Sequence, residues 1–451
     1  MGEKVEPRTL PGFMELMPNE QILMNQMREK IQKSYEKFGF LPLDTPIIEM
    51  AEVLLAKAGG ETEKQIYRFQ KGENDLALRF DLTVPLAKYI AQYGNEISFP
   101  FRRYQIGKVY RGEKPQKGRF REFYQCDIDI IGDGELNIIN DAEIPSVIYA
   151  TIKELGFDKF TICINNRKIL NGLYEFLNLK EQSVEIMRII DKIEKIGKDN
   201  VIKELKNLNI QEEAIKTILD FISIEGTTDE KLKSLQTLQI ENELWNEGVT
   251  ELTEVVKNIR LFGVPDENFK VDFTIARGLD YYTGTVYETF LNEYRSLGSV
   301  CSGGRYDNLA EFYTDRKLPG VGVSIGLTRL FYKLNEMNLM KVDRKSISDV
   351  LVISMLPDIS ESIKVATELR KAGINTEVYL NDKKVKAKFK YANKLNIPYV
   401  AIIGEEELQN QKVTIKDMES GEQEMLTLEE AIQKIRKVAS PDVQIASQLH
   451  T

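Results

Sequence analysis

With 451 residues, 42% of them hydrophobic and 29% charged, the chain can form two or three water-soluble domains that each bury a core. No apolar run approaches the length of a membrane span and the N-terminus lacks a signal-peptide pattern, so a cytoplasmic protein with no membrane partner is expected. A net charge of −9 argues against indiscriminate binding to nucleic acid, and three isolated cysteines, Cys126, Cys163 and Cys301, suggest neither a disulfide framework nor a zinc cluster.

Asn19, followed by apolar Ile22, Leu23, Met27, Ile31, Tyr35 and Phe38, predicts an N-capped amphipathic helix that ends at Gly39. Leu41 to Ile48 reads as extended, and Pro42 and Pro46 confine it to an edge or an interface. Ile66–Gln70 and Leu76–Phe80 form a hairpin pattern about a Gly-Glu-Asn-Asp turn. In the next hairpin, period two gathers Arg121, Phe123, Gln125, Asp127 and Asp129 on one face, with Tyr124, Cys126, Ile128 and Ile130 on the other. The incoming strand sets Arg103, Gln105 and Arg111 opposite Tyr104, Ile106 and Tyr110. One face is therefore core and the other is rich in paired charge, and hairpin-linked strands imply an antiparallel sheet.

No proline occurs between Pro145 and Pro265, and that interval reads as mostly helical; within it, Asn166 to Leu261 forms a Lys/Glu-rich insertion. Val271–Arg277, Thr285–Leu291 and Ser299–Ser302 return to strand character, and Gly320–Gly326 leads into a helix from Leu327 to about Asn335. After a charged linker near Lys341–Ser346, strands at Asp349–Ser354, Thr376–Tyr379 and Tyr399–Ile403 alternate with helices at Ile359–Ala372 and Lys384–Leu395. That alternation predicts a small three-layer α/β domain.

The single histidine, His450, is the penultimate residue of a tail expected to be mobile, which excludes Ser-His-Asp, Cys-His and His-rich metal sites. Chemistry must then run on arginine, carboxylate, tyrosine and bound metal. Two stretches, Tyr110–Gln125 and Ala276–Glu288, each look like half of such a site. The first sets arginines and lysines in a glycine-punctuated turn; the second ends a strand on Arg277 and follows it with paired Tyr281 and Tyr282. Arginines hold phosphate oxygens bidentately, and carboxylates on the same surface hold an ammonium group, so a combined site would suit joining a nucleotide to an amino acid.

These stretches carry a resemblance. The helix and strand ending at Pro46, the segment Arg103–Gly132 and the segment Gly320–Leu330 resemble the three ordered motifs of class II aminoacyl-tRNA synthetases. Arg277-Gly-Leu-Asp-Tyr-Tyr282 and Ser302-Gly-Gly-Arg-Tyr-Asp307 resemble signatures of the histidyl-tRNA synthetase family, and the likeness covers residues 1–435. It implies an α+β catalytic domain built on an antiparallel sheet over 1–340, with a helical insertion at about 166–262. It further implies an anticodon-binding α/β domain over 346–435, a mobile tail over 436–451, and a homodimer joined through the first motif.

The implied reaction joins L-histidine to ATP as histidyl-adenylate, with Mg²⁺, and then passes the histidyl group to the 3′ end of tRNA-His. By motif, Arg277 is the catalytic arginine beside the α-phosphate, and Arg111 holds that phosphate and the histidine carboxylate. Glu113 takes the adenine end of ATP, and Arg119 and Arg329 clamp the outer phosphates with Arg121 nearby. Asp81, Thr83 and Gln125 receive the α-amino group, while Asp129, Tyr282 and Tyr306 read the imidazole ring. Two positions depart from the family's habit: Thr328 stands where glutamate is frequent, and Asp129 is one methylene shorter than the glutamate of many relatives.

Plainer readings stand beside these. Arg/Glu pairs on a strand face are usually a solvated surface, Tyr281 could be core packing, and the acid-free run of lysines from Lys383 to Lys394 is either a solvated face or a phosphate contact. A catalytically silent synthetase paralogue acting as a regulatory subunit is the alternative from another functional class. A synthetase for a different amino acid is a third.

Overall fold

The alternation that marks residues 101–131 builds the middle of the larger of two units. The structure is a computed structural model and describes residues 4–56, 61–114, 117–275, 281–340 and 345–436. Arg277, the tail after Arg436, part of the Lys114–Arg119 turn and part of the linker after Met340 lie outside the described residues. One unit is formed by residues up to Met14 and Arg28–Met337, the other by Glu15–Met27 and Asn338 onward.

In chain order the strands of the larger unit are β1 Leu41–Pro42, β2 Ile48–Met50, β3 Arg68–Lys71, β4 Asn74–Leu78, β5 Phe101–Tyr110 and β6 Glu122–Ile131. They continue as β7 Phe160–Asn166, β8 Phe269–Val271, β9 Thr285–Leu291, β10 Cys301–Tyr306 and β11 Gly320–Ile325. Eight of them form one sheet in the order β1-β5-β6-β11-β10-β9-β7-β8, while β2-β4-β3 form a small second sheet. The interior pairs of the large sheet are antiparallel, as the hairpin pattern predicts, but both edge pairs, β1/β5 and β7/β8, are parallel. The second departure has a direct cause. Between β7 and β8 runs the helical insertion, from the helix Arg167–Phe176 to the helix Glu243–Leu261, and a long helical crossover returns the chain parallel to its starting strand.

Three local differences from the sequence reading have equally plain causes. The first helix spans Pro18–Lys37, so Asn19 lies inside it: Pro18 fits a first helical position, and the Glu20 carboxylate accepts from Met17 N at 3.0 Å. β8 stops at Val271 instead of running to Arg277, because Asp272 Oδ1 accepts from Thr274 N at 3.1 Å and Thr274 Oγ1 at 2.6 Å and turns the chain. The β3–β4 turn is only Gly72–Glu73, with Lys71 opposite Asn74 and Gly72 at φ +63.

The apolar faces of β5 and β6 pack as core: Tyr104, Cys126, Ile128 and Ile130 are buried, and Tyr35 OH donates to Cys126 O at 3.1 Å. The charged face is equally covered. Arg103 is 0% exposed and Asp127 and Asp129 are each 3% exposed, so this is not the solvated strand face that paired charge ordinarily makes.

In the second unit, β12 Val350–Ser354, β13 Thr376–Val378, β14 Tyr399–Ile403, β15 Val413–Asp417 and β16 Gln423–Leu426 form a sheet in the order β13-β12-β14-β15-β16. Helices Ser360–Lys371 and Leu428–Arg436 pack Ala366, Leu369, Ala431 and Ile435 on one face. The helix Val385–Leu395 packs Ala392 against Leu351, Ile353 and Val400 on the other, which makes three layers. Within the lysine run, Lys388 turns inward and donates to Ser354 O at 2.7 Å, whereas Lys383, Lys384, Lys386 and Lys390 are exposed.

Candidate active site

The charged face of β5 and β6 floors a cavity of about 580 Å³, and ten of the twelve residues singled out above line it. They are contributed by separate parts of the chain: the turn after β4, the β5–β6 hairpin, the residues before β9, β10 and the helix Leu327–Glu336. The sheet brings them together because β6, β11 and β10 are neighbours although far apart in sequence.

At one end lie the arginines. Arg111 is held with its guanidinium 4.4 Å from the Phe80 ring centre and 5.1 Å from that of Phe123, and its Nε donates to Phe80 O at 3.2 Å. Burial lowers its pKa while Asp81 opposes that shift, so the group is a cation short of solvation. Arg119 Nη1 meets Glu113 Oε2 at 3.3 Å, and Arg329 donates from Nη2 to Leu297 O at 2.7 Å. Three guanidinium groups in one cavity make a ready site for a polyanion. Thr328, the departure from family habit, is buried and accepts from Tyr124 N at 2.8 Å, so it fastens the helix that carries Arg329 to β6.

Beside Arg111 and beyond it lie buried carboxylates. Asp81 Oδ1 accepts from Thr83 N at 3.1 Å and Val84 N at 2.9 Å at the start of the helix Thr83–Tyr93, and burial raises its pKa. Asp129 accepts from Tyr306 OH at 2.7 Å and stands 2.7 Å from Arg103 Nη2. Burial pushes Asp129 up to about 6, with Arg103 and the Tyr306 hydroxyl pulling it back down. Gly322, opposite Asp129 on β11, leaves room for this pair: a Cβ there would collide with Asp129 Oδ1 and the Ile128 carbonyl. Tyr281, Tyr282 and Tyr306 stack edge to face, with centroids 4.9 and 5.9 Å apart, and all three line the cavity. Gln125 Nε2 donates to Ser324 Oγ at 2.7 Å.

Two of the twelve residues are not in the lining. Arg277 is outside the described residues. Arg121 turns away from the cavity and donates from Nε to Glu113 O at 3.0 Å and from Nη1 to Pro11 O at 3.4 Å, bracing the loop that carries Glu113. Among the lining and floor residues without an assigned role are Arg103, Asp127 and Ser324. The period-two pattern placed the first two on the cavity face but held no sign of their burial. Conversely, Arg305 of the Ser302–Asp307 signature points away from the site and forms a buried pair with Asp141, Nη2 to Oδ1 at 2.7 Å. Among the described residues no group of three His, Cys, Asp or Glu side chains is placed to hold a metal ion.

Comparison with known proteins fits this arrangement. A family model described as histidyl-tRNA synthetase matches residues 12–330, and one described as an anticodon binding domain matches residues 349–438. A histidine–tRNA ligase of Clostridium tetani is 61% identical, the alignment covering 96% of this chain and 98% of the relative. That of Finegoldia magna is 49% identical over 96% of this chain and 100% of its own. The crystal structure of histidyl-tRNA synthetase from a Nostoc species superposes with a TM-score of 0.89 at 39% identity, covering 96% of this chain and 100% of that one. With the motifs in order, the cavity they build and near-full-length likeness to these ligases, the chain belongs to the histidyl-tRNA synthetase family.

Proposed function

We propose that the cavity binds L-histidine and ATP side by side, joins them as histidyl-adenylate, and then transfers the histidyl group to the 3′ end of tRNA-His. The observation that carries this reading is the two-ended cavity: guanidinium groups of Arg111, Arg119 and Arg329 at one end, and the buried Asp129–Tyr306 pair at the other. The silent regulatory alternative is not favoured, because the near-full-length relatives are ligases and the polyanion-binding arginines are retained.

In the first step a histidine carboxylate oxygen attacks the α-phosphorus, the new O–P bond forms as the bond to the β-phosphate oxygen breaks, and pyrophosphate leaves. No proton need move, so a chain without a usable histidine can run this chemistry by alignment and charge stabilisation. Arg111 bridges the α-phosphate and the carboxylate, Arg119 and Arg329 hold the outer phosphates, Arg121 braces the loop that carries Glu113, and Glu113 meets the adenine. By motif, Arg277 is assigned the role of catalytic arginine for the reacting phosphate. Asp81, Thr83 and Gln125 receive the ammonium group, and Asp129, Tyr282 and Tyr306 read the ring, where a buried polar pair rejects side chains that cannot bond to it. Mg²⁺ enters on the triphosphate as part of the substrate, supplying charge neutralisation. Glu288 is the lining carboxylate left without another assignment outside the ring and ammonium positions, and it would hold the ion, a single carboxylate suiting an ion that keeps most of its water.

The second unit reads the anticodon, with its exposed lysines against phosphates. The enzyme works in the cytoplasm as a homodimer. Exposed Leu41, Ile47, Ile48 and Met50 around β1 and β2 supply an apolar surface for the second copy, and sedimentation at micromolar concentration tests it. The deciding assay for the reaction is ATP–pyrophosphate exchange with each of the twenty amino acids. Exchange with histidine alone is expected; exchange with another amino acid would keep the fold and sink the ring assignment, and none at all from folded protein would restore the regulatory alternative.

A further inference from the structure

Asp127 sits on the cavity floor, is 3% exposed, and its Oδ1 has no hydrogen-bond partner among the described residues. It lies two residues from Asp129 on the same face of β6, so the two carboxylates start ~6.7 Å apart along the strand. The two N–H groups of a protonated imidazole point to opposite edges of one five-membered ring, and a hydrogen bond of about 2.8 Å on each side separates their acceptors by roughly 7 Å. We propose that Asp127 is a second acceptor for the histidine ring, so that the cavity binds the side chain as imidazolium, with one N–H donated to Asp129 and the other to Asp127. This rests on the assignment of the carboxylate end to histidine.

The charges around Asp127 favour this species over the neutral ring. Arg103 from β5 is already 2.7 Å from Asp129, and Arg111 at the end of β5 faces the α-phosphate and carboxylate in the proposed complex. Asp81, from the turn after β4, adds negative charge that the substrate's own ammonium group answers. Tyr282 and Tyr306 stay neutral, since burial pushes their hydroxyls up, and Ser324 on β11 is neutral. Asp127 and Asp129 together thus carry one charge more than Arg103 cancels. A cationic ring balances it; a neutral ring has one N–H and would turn a bare lone pair toward one of the carboxylates. Burial and the neighbouring Asp129 push Asp127 up to about 7, against the pull of Arg103, so the floor without substrate has room for one proton. Imidazolium brings that proton with it.

The test uses the full chain, histidine, and triazolylalanine, whose ring has the same size but is too weakly basic to be protonated near neutrality. At about pH 8, Asp127 is mostly ionised and free imidazole, with a pKa near 6.5, is mostly neutral. Calorimetry in two buffers of different ionisation enthalpy should therefore show uptake of about one proton per histidine bound, crossing zero near pH 7 and turning to proton release near pH 6, where Asp127 is protonated before binding. In pyrophosphate exchange, Asp127→Asn should reduce the preference for histidine over triazolylalanine by at least about tenfold, through the histidine KM and not the ATP KM. No proton uptake by the wild-type chain, or an unchanged preference in Asp127→Asn, overturns the proposal while leaving histidine activation intact. Wild-type protein that fails to exchange with histidine overturns the underlying assignment instead. Because the proton measurement needs no variant, it decides the question even if Asp127→Asn does not fold.

Discussion

Tyr306→Phe removes one hydroxyl from the cavity floor and leaves the ring in place against Tyr281, 5.9 Å between centroids. That hydroxyl donates to Asp129 Oδ1 at 2.7 Å, with donor and acceptor residues 2% and 3% exposed. A hydrogen bond to a charged acceptor contributes about 1.5–3 kcal/mol, and each 1.4 kcal/mol is about tenfold, so kcat/KM for histidine should fall roughly 10- to 150-fold. The ATP KM should hold, because the hydroxyl is hydrogen-bonded at the carboxylate end and not among the arginines. A second signature follows from electrostatics. Burial raises Asp129 to about 6, and the Tyr306 hydroxyl is one of the groups that restrain it. Without the hydroxyl Asp129 protonates at a higher pH, so the acid limb of kcat/KM for histidine should move upward in the variant. Pyrophosphate exchange from about pH 5.5 to 8.5, varying histidine and ATP in turn, reads both effects. Equal losses for the two substrates, or an acid limb that stays where it was, would refute the assignment of this pair to the ring.

Three further outcomes are expected. Arg305→Leu strands the fully buried Asp141 and should cost about 3–5 kcal/mol, while adding Asp141→Leu should recover most of it; urea midpoints of the single and double variants check this. Asp127→Asn should raise the melting temperature at pH 8. The folded carboxyl titrates near 7 against about 3.9 when unfolded, so its stability contribution is present below the lower value and lost as pH rises through the higher one; the gain over wild type should vanish near pH 4, and thermal scans at the two pH values decide it. Lys388→Ala should destabilise the second unit by about 1–3 kcal/mol by removing the donor to Ser354 O, whereas Lys384→Ala should leave the melting temperature alone and weaken tRNA binding, an effect read in a salt-dependent binding assay.

Much of this was legible because strands alternate. Period two assigned the named side chains of β5 and β6 to their faces, and the motif order located most of the cavity lining. The same rule, applied to β10, separates Arg305 from Tyr306 and puts Arg305 on the face away from the cavity. What alternation cannot show is what lies above a face. The cover over Arg103 and Asp127 includes the turn at Phe80–Thr83 and the tyrosines before β9, which are distant in sequence, so an apparently solvated row of charge is in fact buried. Parallel pairing at the sheet edges was hidden for a related reason: nothing local in β7 says that the chain will come back beside it as β8 after a helical excursion. Lys388 shows the limit from the other side, since a lysine in a run of lysines carries no local mark of pointing inward.

The alternation also ties chemistry to selectivity. From Phe123 to Asp129, one face of β6 carries a ring beside Arg111, the Gln125 amide, and then the two carboxylates, over ~20 Å of strand. That spacing is set by backbone geometry and by hydrogen bonds to β5 and β11 on both sides, not by loops that could relax. The carboxylates of the ring end are thus held at a fixed distance from Phe123, the ring that packs on Arg111, which supports the alignment that in-line attack requires of the two substrates. The same rigidity makes the arrangement all-or-none. A slip of one residue in the register of β6 would turn Gln125, Asp127 and Asp129 into the apolar core and bring Tyr124, Cys126 and Ile128 to the cavity. Core packing that punishes such a slip therefore also preserves the site: burial of Cys126, Ile128 and Ile130 on one face holds the carboxylates in position on the other.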